Sequence, residues 1–562
     1  MNTASFDFDV IVIGSGFGGS VMTCRLAEKG HKVCLLERGQ RYGMNQFPRR
    51  PEEVRSKTFW DPEDGMLGYM QFHSYYESDA FTIAASGLGG GSLIYANVLM
   101  PMKPEFFAGW PGGITRRMLD KYYDRALGML EASSYPFDDA HPYYRDTPKT
   151  TAMEKASRAI DDAEDSIEQH KFILPKLAVR FQGDFPGHQQ LNQQGAIQSS
   201  CTKCGECFLG CNIKAKNTLD MNYLARATSS ALPDEGGVPA EIRTQSMVTE
   251  IVPVDGGYEV SYVHPERMDV VQKLTAKRVV LAAGSVGSST MLLKMKKYKK
   301  LTGLSDMLGK KWCGNGDLEG MVLFADEETM PTKGPNITSA IEYRFMDYVP
   351  GFPHGMYIQD GGFPPFLSWF IIGKFPSPSS FISVMKLSAR LLARFLRLNR
   401  IFRFRKEINL GDDVAAAIDK DDYIRSMMML LGMGRDLSDG EVRLTENDTP
   451  NIQWKMKRSK THFDRVRREM KKIARALGGN FLDNPLTYFD KVVAVHPLGG
   501  CVMGDTPSDG VVNTKGEVFG HPGLYVCDAS VLPTSTGPNP SLTITALAEY
   551  FAEEFPAPEM NQ

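Results

Sequence analysis

Apolar and polar positions along this chain follow patterns that predict a mixed α/β protein. Residues 9–14 (DVIVIG) form a short apolar run of the kind found in buried parallel strands. The glycine-rich segment GSGFGGSVMTCRLAEKG predicts a tight turn and a helix that ends near Gly30, and HKVCLLE predicts a second strand. Strand, glycine turn, helix and strand in this order begin a βαβ unit.

The rest of the chain predicts further elements of both kinds. Helical patterns cover 115–132 and 150–170, and 240–263 alternates like a pair of hairpin strands. RVVLAAGSVGSSTMLL at 278–293 again predicts strand, glycine turn and helix, while the last strand and helix are expected at 524–527 and from about Leu542. Similar glycine turns at both ends favour a nucleotide-binding domain assembled from 1–130, 230–320 and 485–562. Residues 321–484 are expected to form a second domain.

The first glycine turn carries the fingerprint of a dinucleotide site. Gly14, Gly16 and Gly19 form GxGxxG, which allows a tight turn, close approach of a pyrophosphate and close helix packing. Glu37 ends the next strand, where an acid binds ribose hydroxyls. The motif alone does not separate FAD from NAD.

A second glycine cluster bears on that choice. SGLGGGS at 86–92 includes Gly89, Gly91 and Ser92, and offers a run of backbone N–H groups for phosphate oxygens. A single NAD site does not need it, whereas an extended flavin dinucleotide held from both sides does. The two clusters together therefore favour FAD.

Composition excludes several classes of protein. With 42% hydrophobic and 10% aromatic residues in 562, the chain is not disordered, collagenous or a small disulfide scaffold. Its 64 basic and 67 acidic residues give a net charge of −3, which argues against a dedicated nucleic-acid binder. The amino terminus has no basic segment followed by an apolar one, so a cytoplasmic protein is expected.

Three groups of motifs resemble the glucose–methanol–choline (GMC) oxidoreductase family, and its cholesterol-oxidase-like branch in particular. They are GSGFGGSV with GLGGGSLIYAN, CTKCGECFLGCNIKAKNTLDMNYL, and the closing segments VHPLGGCVMGD and GLYVCDASVLPTSTGPNPSLTITALAE. The resemblance implies a Rossmann-like FAD-binding domain of the GMC type. It also implies a substrate domain built on a mainly antiparallel sheet covered by helices.

The family's His–Asn pair maps onto His496 and Asn539. Alcohol oxidation by a flavin needs a group that accepts the hydroxyl proton, a task suited to histidine. Asn539, between Pro538 and Pro540, can bind the substrate oxygen without titrating. The resemblance thus implies that a hydrophobic alcohol, a sterol or long-chain alcohol, transfers hydride to the flavin.

Further flavin contacts are implied by the same resemblance. Phe17 and Asn97 lie in its glycine motifs, Val248 matches the position where the family's backbone meets adenine, and Asp528 is expected near the ribityl chain or pyrophosphate. Glu342 is a candidate for the glutamate that cholesterol oxidases place over the substrate, although an exposed strand residue is the alternative.

Four of the nine cysteines form a cluster. Cys201, Cys204, Cys207 and Cys211 have the C-x2-C-x2-C-x3-C spacing of bacterial ferredoxins, with Asn212 where those have proline. The spacing favours a [4Fe–4S] cluster in an insertion at 190–228. A zinc site is the main alternative, followed by unliganded or disulfide-linked thiols.

Residues 361–406 contain nine positive charges and no acid, with Arg390, Arg394 and Arg397 at helical spacing. This pattern favours a peripheral contact with the inner face of a membrane, the alternative being a helix packed on the protein.

The combined hypothesis is a flavin-dependent alcohol dehydrogenase. Its electrons would leave through the cluster to a quinone or a carrier protein. The alternatives are a cholesterol-oxidase-like enzyme that uses oxygen and keeps a structural metal site, and an electron-transfer flavoprotein without a substrate. Anaerobic bleaching of the flavin by an alcohol distinguishes the enzyme from the carrier.

Overall fold

The computed structural model describes residues 6–161, 168–345, 355–364 and 422–558. Most of the basic stretch 361–406, including Arg390, Arg394 and Arg397, lies outside these residues, so the membrane contact stays a prediction. Among the helices of the described ranges, none is long and apolar enough to cross a membrane.

The described ranges contain ten α-helices and 25 strands. The helices are α1 Phe17–Glu28, α2 Pro51–Thr58, α3 Arg116–Met129, α4 Pro142–Arg145, α5 Pro148–Asp161, α6 Tyr223–Ala227, α7 Gly284–Lys297, α8 Asp422–Arg425, α9 Lys460–Ala476 and α10 Ser541–Glu554. The strands are β1 Phe8–Ile13, β2 Val33–Leu36, β3 Trp60–Asp61, β4 Met66–Leu67, β5 Met70–Ser74, β6 Ala80–Ala85, β7 Val98–Leu99, β8 Ser133–Ser134, β9 Glu168–Ile173, β10 Lys176–Leu177, β11 Gln189–Leu191, β12 Ile197–Ser199, β13 Glu241–Arg243, β14 Met247–Val254, β15 Gly257–His264, β16 Arg267–Leu281, β17 Leu318–Leu323, β18 Ala340–Phe345, β19 Gly355–Gly361, β20 Met428–Met433, β21 Glu441–Leu444, β22 Pro450–Gln453, β23 Asn480–Asp483, β24 Val492–Ala494 and β25 Leu524–Val526.

One sheet has the Rossmann-like arrangement expected from the glycine turns. Strands β13, β2, β1 and β16 lie side by side and parallel, and β25 joins the end of β16 in parallel. The start of β16 continues into an antiparallel hairpin of β14 and β15. Since β1 and β2 are buried on both faces between helices, their near-continuous apolar runs match this position. The predicted fold class is confirmed for this part.

The second large sheet is antiparallel in all of its pairings, with the strand order β23-β17-β20-β19-β18-β9. Helices α5 and α9 cover one face, where Val466, Met470 and Ile473 of α9 enter a shared core with Leu430 of β20. Its edge strand β9 comes from 168–173, outside the expected 321–484. The helix expected over 150–170 is therefore too long, because 168–170 already belong to β9.

Candidate active site

Three side chains from separate elements meet at the candidate site. His496 follows β24, which pairs in parallel with β6, and Asn539 stands just before α10. Asp317 lies immediately before β17, in a turn in which Asn315 and Gly316 have positive φ values of 59° and 67°. The sequence predicted His496 and Asn539, and the structure adds Asp317 to them.

Asp317 holds the imidazole of His496. Its side chain is fully buried, and its Oδ1 and Oδ2 lie 2.8 and 3.1 Å from His496 Nδ1. Oδ2 also accepts the backbone N–H of His496 at 3.0 Å. Because an ionised carboxylate can only accept, Nδ1 must carry the hydrogen, which leaves the lone pair of a neutral ring on Nε2. That nitrogen is then available as a base.

Asn539 presents its amide nitrogen to that base. Asn539 Nδ2 lies 3.5 Å from His496 Nε2, while its Oδ1 accepts a hydrogen bond of 2.7 Å from Gln359 Nε2 on β19. Gln359 is fully buried, so the antiparallel sheet fixes the orientation of the Asn539 amide. Asn315 secures the same loop through bonds to Thr536 N and Pro538 O. A substrate oxygen held here meets one donor and one base.

His496 and Asn539 border a cavity of about 1770 Å³. It extends from both glycine clusters to the face of the antiparallel sheet opposite α9, where Met429 and Leu431 form part of its wall. A single drug-sized ligand occupies a pocket of roughly 300–1000 Å³. The cavity can therefore take an extended cofactor together with an apolar substrate.

The glycine loop fits a dinucleotide. A Cβ on Gly19 would lie 1.9 Å from Gly14 O, and one on Gly14 would lie 2.4 Å from Ala282 O, so these two glycines allow close packing. Gly16 is different, because a Cβ there would meet nothing within 4 Å. A Cβ on Gly90 of the second cluster would lie 2.6 Å from the Gly16 Cα, so the two clusters also pack closely against each other. The open space above Gly16 is where a pyrophosphate would approach.

Glu37 ties the two glycine clusters together. One carboxylate oxygen accepts from Ser15 N and Ser15 Oγ, and the other from Gly39 N and Gly87 N. Glu37 also borders the cavity. Its binding of a ribose stays a prediction. Gly89 and Ser92 support the turn from behind: Ser92 Oγ donates to Gly89 O at 2.7 Å.

Asn97 also fits a bound cofactor. It lies between the cavity-lining residues Ala96 and Val98, is fully buried and has a φ of 71°. Neither polar atom of its amide finds a hydrogen-bond partner within the described residues. Since buried amides are nearly always paired, this position is suited to a bound cofactor.

The other predicted contacts surround the same groove. Phe17, Gly91, Val248 and Asp528 all border the cavity. The Asp528 carboxylate is bound by Gly284 N, Ser288 Oγ and Ser530 N, so it organises the amino terminus of α7, and burial raises its pKa. Its side chain therefore supports the groove, whereas direct contact with a cofactor stays a prediction.

Comparisons with known proteins agree with this site. Residues 436–548, which include His496 and Asn539, match the family described as GMC oxidoreductase, and residues 12–65 match the NAD(P)-binding Rossmann-like domain. Cholesterol oxidases of Acinetobacter baumannii and Mycobacterium tuberculosis are 28% and 29% identical over 99% and 98% of this chain and 96% and 91% of their own lengths.

The chain is thus similar to the GMC oxidoreductase family over 436–548, and to cholesterol oxidases over nearly its whole length. The predicted class of enzyme, an alcohol-oxidising oxidoreductase, is thereby confirmed. The solved structure of pyridoxine 4-oxidase from Mesorbium loti is 17% identical with a TM-score of 0.59, and the match covers 97% of this chain and 99% of that one. At this identity the likeness confirms the fold.

The cysteine segment touches the same cavity through Cys204. All nine cysteines are free thiols. Burial and the charges of neighbouring cysteines raise the pKa of Cys201 and of Cys211. Backbone N–H groups of Lys203 and Ala215 point at the Cys201 and Cys211 sulfurs, at 3.4 and 3.3 Å.

The segment contains cysteines, the ligand type of an iron–sulfur cluster, but its side chains are not arranged as a coordination site. In the described parts of the chain, no group of three or more His, Cys, Asp or Glu side chains is arranged to hold a metal ion. The segment is nonetheless fixed to its surroundings. Asn212 bonds to both N and O of Phe47, and Arg49 pairs with Glu206 at 2.9 Å.

Lys216 indicates which charge suits this place. It is 1% exposed, and its Nζ donates to the carbonyls of Leu93 and Cys207 and lies 4.7 Å from the Tyr95 ring centre. Burial lowers its pKa to about 7, against the opposing effect of Cys207 and Cys211. A buried cation surrounded by neutral carbonyls favours an anion nearby, which thiolate ligands would provide.

The sequence missed Asp317, Glu319, Gln359 and Lys216. The segment CGNGDLEG contained a signal: acids two residues apart, just after a Gly-Asn-Gly turn, share one face of a strand. Glu342, the candidate for the glutamate placed over the substrate, lies elsewhere. It pairs with Lys103 and borders a separate cavity of about 200 Å³.

Proposed function

We propose that this protein is a GMC oxidoreductase that uses FAD to oxidise the hydroxyl group of a hydrophobic alcohol, a sterol or a long-chain alcohol. The observation that carries the proposal is the pair of His496 Nε2 and Asn539 Nδ2 at the junction of the dinucleotide groove and the apolar wall. The cholesterol oxidases among the relatives support the choice of substrate.

The side chains divide the work at the substrate hydroxyl. Asn539 Nδ2 donates to its oxygen, and His496 Nε2 accepts its proton, while Asp317 keeps the ring in the tautomer that can do so. Met429 and Leu431 exclude water from the alkyl part of the substrate. Bound FAD would supply the hydride acceptor, and Gly14, Gly16, Gly91 and Asn97 would hold it.

The test is anaerobic mixing of the purified holoenzyme with a panel of sterols and primary alcohols. Bleaching of the flavin absorbance by an apolar alcohol is expected, and short polar alcohols should act more weakly. A flavin that no alcohol reduces would make the protein an electron carrier. A protein that folds without any flavin would contradict the proposal at its first step.

We further propose that Cys201, Cys204, Cys207 and Cys211 hold a [4Fe–4S] cluster, with zinc as the alternative. The ferredoxin-like spacing, the backbone N–H groups directed at two sulfurs and the buried Lys216 support it. Such a cluster would accept electrons singly and pass them to a quinone or a carrier protein. Oxygen is the alternative acceptor.

Metal analysis tests the cluster directly. About four iron and four sulfide per chain are expected. Cys204→Ser should lose iron and keep FAD, and turnover with a quinone should collapse while a single reduction by alcohol persists. Cys501→Ser is the control, since its sulfur already faces the Ser289 hydroxyl at 3.6 Å. Zinc in place of iron, or normal turnover without iron, would leave a structural site.

A further inference from the structure

The wall of the cavity carries an acid that the proposed reaction does not use. Glu319 of β17 borders the cavity together with His496 and Asn539. Its Oε2 accepts a hydrogen bond of 3.1 Å from Asn484 Nδ2, in the loop after β23. An acid in an otherwise apolar wall is costly unless it binds something.

The register of the sheet places Glu319 relative to the reacting pair. Glu319 lies opposite Leu431 of β20, and Leu431 lies opposite Gln359 of β19. Residues directly opposite one another share a face, so the three form a row across the sheet. Neighbouring strands are about 4.8 Å apart, so Glu319 stands about 10 Å along this row from Gln359, which touches Asn539.

The two acids of this strand differ in their partners. The carboxyl group of Asp317, immediately before β17, is bound to His496. Glu319 faces the cavity, where burial, and then the charge of Asp317, raise its pKa to about 8. At neutral pH Glu319 is mostly a carboxylic acid and can donate a hydrogen bond.

We propose that Glu319 is a specificity-determining residue, whose carboxyl group donates a hydrogen bond to a second oxygen of the substrate. The substrate class is thus narrowed to hydrophobic alcohols with an ether, carbonyl or hydroxyl oxygen within about 10 Å of the reacting hydroxyl. The inference rests on the proposed function, because the reacting hydroxyl must lie at His496 and Asn539.

The neighbouring groups determine how this contact depends on pH. Two polar groups lie near Glu319: Asp317, immediately before β17, and Asn484, in the loop after β23. Strand β20 contributes the apolar Met429 and Leu431. Lys203 and Lys333 also border the same cavity. Above about pH 8 the carboxyl loses its proton and becomes an acceptor, so binding of a second acceptor oxygen should weaken.

The test uses two alcohols of equal length, octan-1-ol and 6-methoxyhexan-1-ol, in which an ether oxygen replaces one CH₂. The quantity measured is the ratio of their KM values for anaerobic flavin reduction. In Glu319→Leu the preference for the ether should fall about three- to tenfold, the usual effect of one hydrogen bond. Glu319→Gln should keep it, because an amide donates and can still accept from Asn484.

A pH series completes the test. The wild-type preference for the ether should decline above about pH 8, whereas that of Glu319→Gln should stay constant. An equal ratio in the wild type and Glu319→Leu would overturn the inference and leave the proposed function intact. If neither of these alcohols nor any member of the alcohol panel bleaches the wild-type flavin, the proposed function itself is wrong.

Discussion

The dinucleotide groove and the wall of the substrate cavity are built in different ways. The groove is made of backbone: its shape depends on glycines close together in sequence, such as Gly14, Gly16 and Gly19. The wall is made of side chains from strands far apart in the chain, and Glu319, Leu431 and Gln359 meet only through sheet register. A local motif therefore specifies the first, and long-range pairing specifies the second.

The largest effect is expected from Gly16→Val. Gly16 has an ordinary φ of −69°, so valine can adopt its backbone, and the side chain would occupy only the open space of the groove. We expect a folded protein without FAD, measured by flavin absorbance and circular dichroism. Gly128→Val is the control, because a Cβ on this α3 residue also meets nothing within 4 Å. Normal FAD content in Gly16→Val would contradict the assigned groove.

His496→Ala tests the junction of the two regions. Flavin reduction by alcohol should slow by roughly 10²–10⁴-fold, the range typical of a lost acid–base group, with FAD still bound. Stopped-flow absorbance measures the rate. His141→Ala, which changes an exposed histidine, should reduce at the wild-type rate. An unchanged rate in His496→Ala would leave this residue with a structural role alone.

Asp317→Asn separates the carboxylate from the ring that it holds. An amide can donate to Nδ1, which moves the hydrogen to Nε2 and removes the base. We expect reduction slowed by about 10- to 10⁴-fold, the upper figure being that of a serine-protease triad with the same change. Imidazole ¹⁵N shifts should show the change of tautomer. A slower rate without that change would indicate a packing effect.

The smallest effect concerns the free energy of unfolding of the antiparallel sheet and its helix α9. His462 of α9 is buried, its Nε2 bonds to Gly316 O at 2.8 Å, and burial lowers its pKa to about 4. Below about pH 6.5 the unfolded chain takes up a proton on His462 more readily than the folded protein does. The stabilisation from neutral His462 therefore decreases as the pH falls. The expected loss from pH 6.5 to 5 is about 2 kcal/mol.

Hydrogen exchange of α9 measures this loss. His462→Gln should be less stable than the wild type at pH 7, and the difference should shrink at pH 5. Comparison with the variant at each pH is needed because burial raises the pKa of Asp436 to about 6, which acts in the opposite direction. Exchange of α1, in the Rossmann-like sheet, should not change between the two proteins. An equal effect on both helices would show that the regions unfold together.

The same contrast explains what could be predicted from the sequence. The βαβ start, the hairpin expected over 240–263 and the helix expected from about Leu542 follow from local periodicity and glycine turns. The hairpin is present at 247–264 and the helix at 541–554, but 241–243 instead form the parallel strand β13. His496 and Asn539 came from motifs that resemble a family. Asp317 and Gln359 act through contacts with residues 179 and 180 positions away, which no local pattern encodes.

The helix expected at 150–170 shows the limit of periodicity. Its helical pattern continues past the end of α5 at Asp161, but 168–173 pair with β18 as an edge strand, so tertiary pairing decides the outcome. Lys216 is similar. A lysine near cysteines is unremarkable in sequence, and only the structure shows that it is buried and donates to the carbonyls of Leu93 and Cys207.

The parallel sheet also constrains how the protein is made. About 510 residues of chain separate the end of β1 from the start of β25, which completes the sheet beside β16. At a ribosomal rate of 5–20 residues per second, the amino-terminal strands wait roughly half a minute to two minutes for that partner. Asn539 emerges later still. The nascent chain therefore has no complete groove to load, and cofactor insertion has to follow release of nearly the whole polypeptide.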